Sequence, residues 1–159
     1  MPNLQTDPEQ ISTFVETLFA YASEGGFVSL RAFDDRDKGK RPFAIEPVQI
    51  DESGLAPVKD CAATLAERCA TAVQAIVFCP PVVTFKDATN ARADNVAEGL
   101  ELSVDCDQTP VTARSKLESL LGPATIVVAS GGEWTDPETG ELQDKLHLHW
   151  RLNKPTQTN

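Results

Sequence analysis

The chain has 159 residues, 41% hydrophobic and 24% charged, long enough for one domain with a real core and ordinary for a globular protein. Its net charge of −10 argues against tight binding along a long duplex, which needs an excess of Lys and Arg, but leaves room for a site that holds one nucleotide and a short strand. No apolar run reaches the ~18 residues of a membrane span, and the start, MPNLQTDPEQ, lacks the basic and apolar regions of a signal peptide, which places the protein in the cytoplasm.

Residues 8–23 read as a helix: Asp7 caps it, Pro8 suits its first turn, and Ile11, Phe14, Val15, Leu18 and Phe19 recur at helical spacing before Gly25-Gly26 ends it. FVSLRAF, residues 27–33, is rich in strand formers although its alternation is broken. Residues 34–42 form a charged turn, and residues 43–50 a strand that Pro47 sends to a sheet edge. A second helix covers 57–74, with Val58, Cys61, Leu65, Cys69 and Val73 on one stripe. Residues 75–85 make a strand interrupted by Pro80-Pro81, and 86–98 a polar loop or short helix. The four cysteines, Cys61, Cys69, Cys79 and Cys106, form no C-x-x-C pair, so they read as reduced thiols rather than a zinc site.

From residue 100 the order is strand (100–107), helix (110–121), strand (125–132), a hairpin connection (133–144), strand (145–152) and a polar tail. This is the opening of a β-α-β-β-α-β plan, short by one helix and one strand. The predicted fold is therefore α+β: an N-terminal α/β module, residues 1–99, packed on a truncated RRM-like (ferredoxin-like) antiparallel sheet, residues 100–159. Together they form a single domain that is incomplete at its C-terminus.

Two segments carry chemistry. Side chains two apart on a strand share a face, so in LELSVDCD the apolar Leu102, Val104 and Cys106 face one way and Ser103, Asp105 and Asp107 the other. The two carboxylates, roughly 7 Å apart along the strand, suit a shared divalent ion or an ion pair that clamps phosphate oxygens; the plainer reading is two surface acids at a solvated strand end. In KLHLHWRL, Leu146, Leu148, Trp150 and Leu152 form one face and Lys145, His147, His149 and Arg151 the other, a cradle for a triphosphate or a metal, or simply a basic exposed face. In the ferredoxin-like plan the first and third strands are neighbours, which would set acids for metal beside bases for phosphate, as phosphoryl transfer requires. SGG, residues 130–132, offers Ser130 and close-approaching backbone amides to a phosphate, or is only a turn.

A strand ending in D-x-D, a helix, a strand ending in Ser-Gly, and a strand bearing His and then an aromatic resemble the archaeo-eukaryotic primase and primase-polymerase superfamily, in particular the RepB-type primase domain of plasmids and prophages. The matching text is LSVDCD (102–107), VVASGG (127–132) and KLHLHWRL (145–152). The resemblance puts the metal-binding carboxylate pair on Asp105 and Asp107 and the nucleotide-phosphate histidine on His147. The small residue that belongs two positions before that histidine is Lys145 here, which leaves the serine contribution to Ser130; His149 occupies a place often taken by an aromatic. The family's third motif, a later Asp, would follow residue 159. The activity implied is template-directed primer synthesis from nucleoside triphosphates on single-stranded DNA with Mg2+ or Mn2+, in a replication protein that works with a helicase domain or partner. The implied catalytic residues are Asp105, Asp107 and His147. Ser130, Lys145, His147, His149 and Arg151 would bind nucleotide.

Two other readings fit the same residues. His147-Leu148-His149 is a His-hydrophobic-His pair, as in rolling-circle initiators and relaxases that nick single-stranded DNA with a tyrosine, here Tyr21. A non-catalytic remnant that serves as a binding module is the third.

Overall fold

The computed structural model of the protein describes residues 5–34, 42–79 and 82–157. The element order is α1 (Pro8–Leu18), β1 (Phe27–Asp34), β2 (Ala44–Gln49), α2 (Ala56–Ala70), β3 (Ile76–Cys79), β4 (Val83–Phe85), a single 3-10 turn (Ala93–Asn95), β5 (Val96–Cys106), α3 (Pro110–Leu121), β6 (Ile126–Thr135) and β7 (Leu142–Gln157). The fold is α+β, with antiparallel strand pairing. No helix among the described residues is long and apolar enough to cross a membrane. The chain divides into two units, residues 1–100 with 153–159 and residues 101–152, so both β5 and β7 run from one unit into the other.

In the larger unit the strand order is β2-β1-β4-β5, and β3 also pairs with β1. β2 lies at the end of that order, as Pro47 predicts, since proline cannot donate to a ladder. β1 alternates cleanly once its partners are known. Val28, Leu30 and Ala32 are fully buried and pack with Val58, Ala62 and Leu65 of α2, which lies on β1, β2 and β3 and also against α1. Phe27, Ser29 and Arg31 face the other way. The broken alternation in the sequence arises because Ser29 is also buried, at 4% exposure, beneath a loop on that second face.

Several boundaries differ from the sequence reading. α1 stops at Leu18 rather than residue 23, because Glu98 captures Ser23: its carboxylate accepts from the Ser23 backbone N–H and hydroxyl, and from Thr84 Oγ1. α2 stops at Ala70, its buried face is Val58, Ala62 and Leu65, and Val73 is 85% exposed beyond it. The strand expected over 75–85 is two strands, β3 and β4, which pair with successive parts of β1. Pro80-Pro81, and most of the charged turn over 34–42, lie outside the described residues. β5 begins at Val96, not residue 100, because Val83, Thr84 and Phe85 pair with its first residues.

In the smaller unit the order is β5-β7-β6. Its core is Cys106, Leu148 and Trp150, packed by Val104, Leu146 and Val127 from the strands and by Ala113 and Leu117 of α3. Val111, Leu120 and Leu121 of α3 are exposed, as is Leu102 on β5. Trp150 donates its indole N–H to the Gly122 carbonyl at 2.9 Å, anchoring the turn after α3.

β6 does not stop at the SGG segment. It continues to Thr135 across a bulge, with Ala129 opposite Leu146 and pairing resumed at Glu133 opposite Asp144. Gly131 supplies the left-handed backbone this requires, at φ +82°. The hairpin connection is thus residues 136–141, closed by Asp136 accepting from the backbone of Glu138 and Thr139. The expected polar tail is the end of β7, where Thr156 Oγ1 meets the Gly99 carbonyl.

Candidate functional site

The site lies within residues 101–152. On β5, the residues that alternate with Val104 and Cys106 present Glu101, Ser103 and Asp105 to the face away from α3, and Asp107 follows the strand end. On β7, the residues that alternate with Leu146, Leu148 and Trp150 present Lys145, His147 and His149. Because β5 and β7 are neighbours, acids meet bases along one line. Lys145 Nζ lies 3.2 Å from Asp107 Oδ1, His147 Nε2 lies 3.2 Å from Asp105 Oδ1, and His149 Nδ1 lies 2.8 Å from Glu101 Oε1.

The three pairs differ in depth. Asp105 and Asp107 keep 59% and 61% of their side-chain surface exposed, and His147 keeps 43%, so water and solutes reach them. His149 and Glu101 are shut in: the Glu101 side chain is fully buried and the His149 side chain nearly so. His149 was expected on an open phosphate-binding face; it sits at the floor instead. Sequence reasoning missed Glu101, its partner. The signal was present, since Glu101 shares the strand face of Asp105 and Asp107, but nothing in the sequence tells a buried carboxylate from an exposed one.

The SGG segment has a clear local role. A side chain on Gly132 would start 3.0 Å from Lys145 Cδ, so the bare glycine leaves room for the stem of the lysine whose Nζ reaches Asp107. Ser130 is exposed, and its hydroxyl donates to the Lys145 carbonyl at 3.3 Å. The Arg151 backbone N–H donates to Thr125 Oγ1 at 3.1 Å, which ties the far end of the basic row to the start of β6. On the opposite face the Cys106 thiol is pushed above its usual value, first by burial and then by the charges of Asp105 and Asp107. It is protonated at neutral pH and belongs to the core.

A divalent ion would find two accessible carboxylates here, Asp107 paired to the Lys145 ammonium and Asp105 to the His147 imidazole. Among the described residues no group of three or more His, Cys, Asp and Glu side chains is set to hold a metal. Asp105 and Asp107 are two accessible carboxylates, fewer than the all-protein cage that many metal sites use. They do not fit an ion that needs an all-protein cage.

The chain matches no protein-family model, no curated protein and no solved structure.

Proposed function

We propose that residues 101–152 form the metal- and triphosphate-binding part of a primase-polymerase-type nucleotidyltransferase, on an RRM-like arrangement of β5, α3, β6 and β7, in a plasmid or phage replication protein. One observation carries this reading: two carboxylates from one strand and an imidazole and an ammonium from its neighbour share one open face within salt-bridge distance. Phosphoryl transfer consists mostly of positioning and of neutralising charge on phosphate oxygens, and this face offers both signs of charge side by side.

In this reading Asp105 and Asp107 hold Mg2+ or Mn2+, which supplies Lewis-acid neutralisation of the phosphates. With an ion held there, Asp105 and Asp107 would no longer engage His147 and Lys145, and the imidazole and ammonium would be free to meet the phosphates. Ser130 and Arg151 flank the same row as further phosphate donors. His149 acts from below as a positioning residue, held by Glu101 so that β7 keeps His147 at a fixed height above the sheet. The other strand of chemistry, a template of single-stranded DNA and a helicase partner, belongs to the same reading.

Isothermal titration of a deoxynucleoside triphosphate in the presence of Mn2+ tests it. Binding should require the metal, vanish in Asp105→Asn and Asp107→Asn, and weaken about tenfold in His147→Ala, in line with one lost charge-assisted contact. The absence of heat at millimolar metal and nucleotide would sink the proposal and leave a non-catalytic module. Nicking of single-stranded DNA that disappears in Tyr21→Phe would instead favour the relaxase chemistry.

A further inference from the structure

The larger unit holds a cavity of about 320 Å3 that the reading above does not use. It lies on the second face of β1, the one turned away from α2. Phe27, Ser29 and Arg31 line it from β1, Ile45 and Pro47 from β2, and Phe85 from β4; the loop over residues 87–92 forms its remaining wall. Asn95, 7% exposed, holds that loop in place by donating to the Asp87 and Asn90 carbonyls and to the Asp87 carboxylate.

Two polar groups in this cavity are buried without a partner. Ser29, at 4% exposure, has no hydrogen bond to its hydroxyl among the described residues, and neither has the Nε–H of Arg31. Buried polar atoms are nearly always paired, and an orphaned pair lining one cavity is a reason to look for a ligand. A guanidinium fork satisfies two oxygens of an anion, and a hydroxyl can satisfy a third. Around them the walls are apolar and partly aromatic, which suits a flat ring. Arg92 adds a second positive charge to the lining and Asp87 a negative one whose Oδ1 is already committed to Thr89 and Asn95. That balance fits a monoester rather than a diphosphate or triphosphate. The volume lies near the small end of ligand sites, roughly 300 Å3, enough for one ring and one anionic group.

We propose that this cavity binds a phosphate monoester carried on a flat ring, as in a nucleoside monophosphate, with Arg31 and Ser29 holding the phosphate and Phe27 and Phe85 facing the ring. The ligand is either a free nucleotide or the 5′-phosphorylated end of a single strand; the phosphate monoester on a ring-bearing nucleoside is shared.

Calorimetry on the full chain in EDTA, which keeps metal-dependent binding out of the readout, uses dTMP, thymidine and inorganic phosphate as probes, then a short 5′-phosphorylated oligothymidylate. dTMP should bind more tightly than either fragment. Arg31→Gln should weaken it about tenfold or more, as loss of a bidentate charged contact does, and Ser29→Ala several-fold without lowering Tm. Tighter binding of the oligothymidylate assigns the site to a strand; weaker binding assigns it to the free nucleotide. If Arg31→Gln does not fold, as circular dichroism would show, Ser29→Ala decides alone. The proposal is overturned if neither dTMP nor the oligothymidylate gives heat at millimolar concentration, or if both variants that fold bind as the parent does.

Discussion

The polar faces of the two units differ in which kind of group is left without a hydrogen-bond partner among the described residues: buried donors in the larger unit, a buried carboxylate oxygen of Glu101 in the smaller. In residues 101–152 every acid named in the row has a basic partner: Asp107 with Lys145, Asp105 with His147, Glu101 with His149. In the larger unit, Arg31 Nε and Ser29 Oγ are buried with no hydrogen-bond partner among the described residues. A face whose carboxylates already have close partners accepts a ligand only by exchange, so affinity there depends on what the ligand brings, such as a metal ion with its phosphates. A face with orphaned donors is preorganised for an anion, and the unfilled state carries the cost.

The comparison can be broken most forcefully at its deepest pair. Glu101→Ala removes the carboxylate from buried His149, and urea denaturation should show a loss of about 2 kcal/mol, as for a buried polar group deprived of its hydrogen-bond partner; Glu101→Gln, which keeps a hydrogen-bonding oxygen, should lose less than half of that. A loss under about 1 kcal/mol would mean that the pair behaves as an exposed one. Next in size is Gly131→Ala, which forces a side chain into a left-handed backbone at φ +82° and should cost about 1–2 kcal/mol. Ser29→Ala should move stability the other way, by up to about 1 kcal/mol, since it removes an unsatisfied buried hydroxyl; a lowered Tm would show that the hydroxyl has a structural partner. Asp105→Asn should change stability by less than about 0.5 kcal/mol, because its pair with His147 is half exposed, while abolishing metal-dependent nucleotide binding.

The smallest effect is with pH. The Asp87 carboxyl is held below its ordinary value of 3.8, chiefly by the Thr89 hydroxyl and then by the Thr89 backbone N–H. Its folded pKa is thus below its unfolded one, so the stability it adds is complete above about 3.8 and is lost as the pH falls through the lowered value. Thermal unfolding followed from neutral pH downward should therefore show no loss from the loop over residues 87–92 until that acid range.

Much of the candidate site was legible in the residues alone. A period of two in SVDCD and in KLHLHWRL determined which side chains share a face, whatever the strands pair with. Asp7 and Pro8 marked the start of α1, and Gly122 the end of α3. Those signals are local: they depend on backbone geometry within a few residues of their own position. What the sequence by itself determined, then, was the alternation of polar and apolar faces and the helix starts. Only the tertiary structure decided depth and partnership. Glu101 and Asp105 are both acids on one strand face, yet one is sealed and the other open, because what covers them comes from elsewhere in the chain. Ser29 read as an interruption of a strand pattern and is the buried wall of a cavity for the same reason. Burial is a property of neighbours brought together by folding, and nothing within a strand's own residues encodes which of its polar groups water will reach.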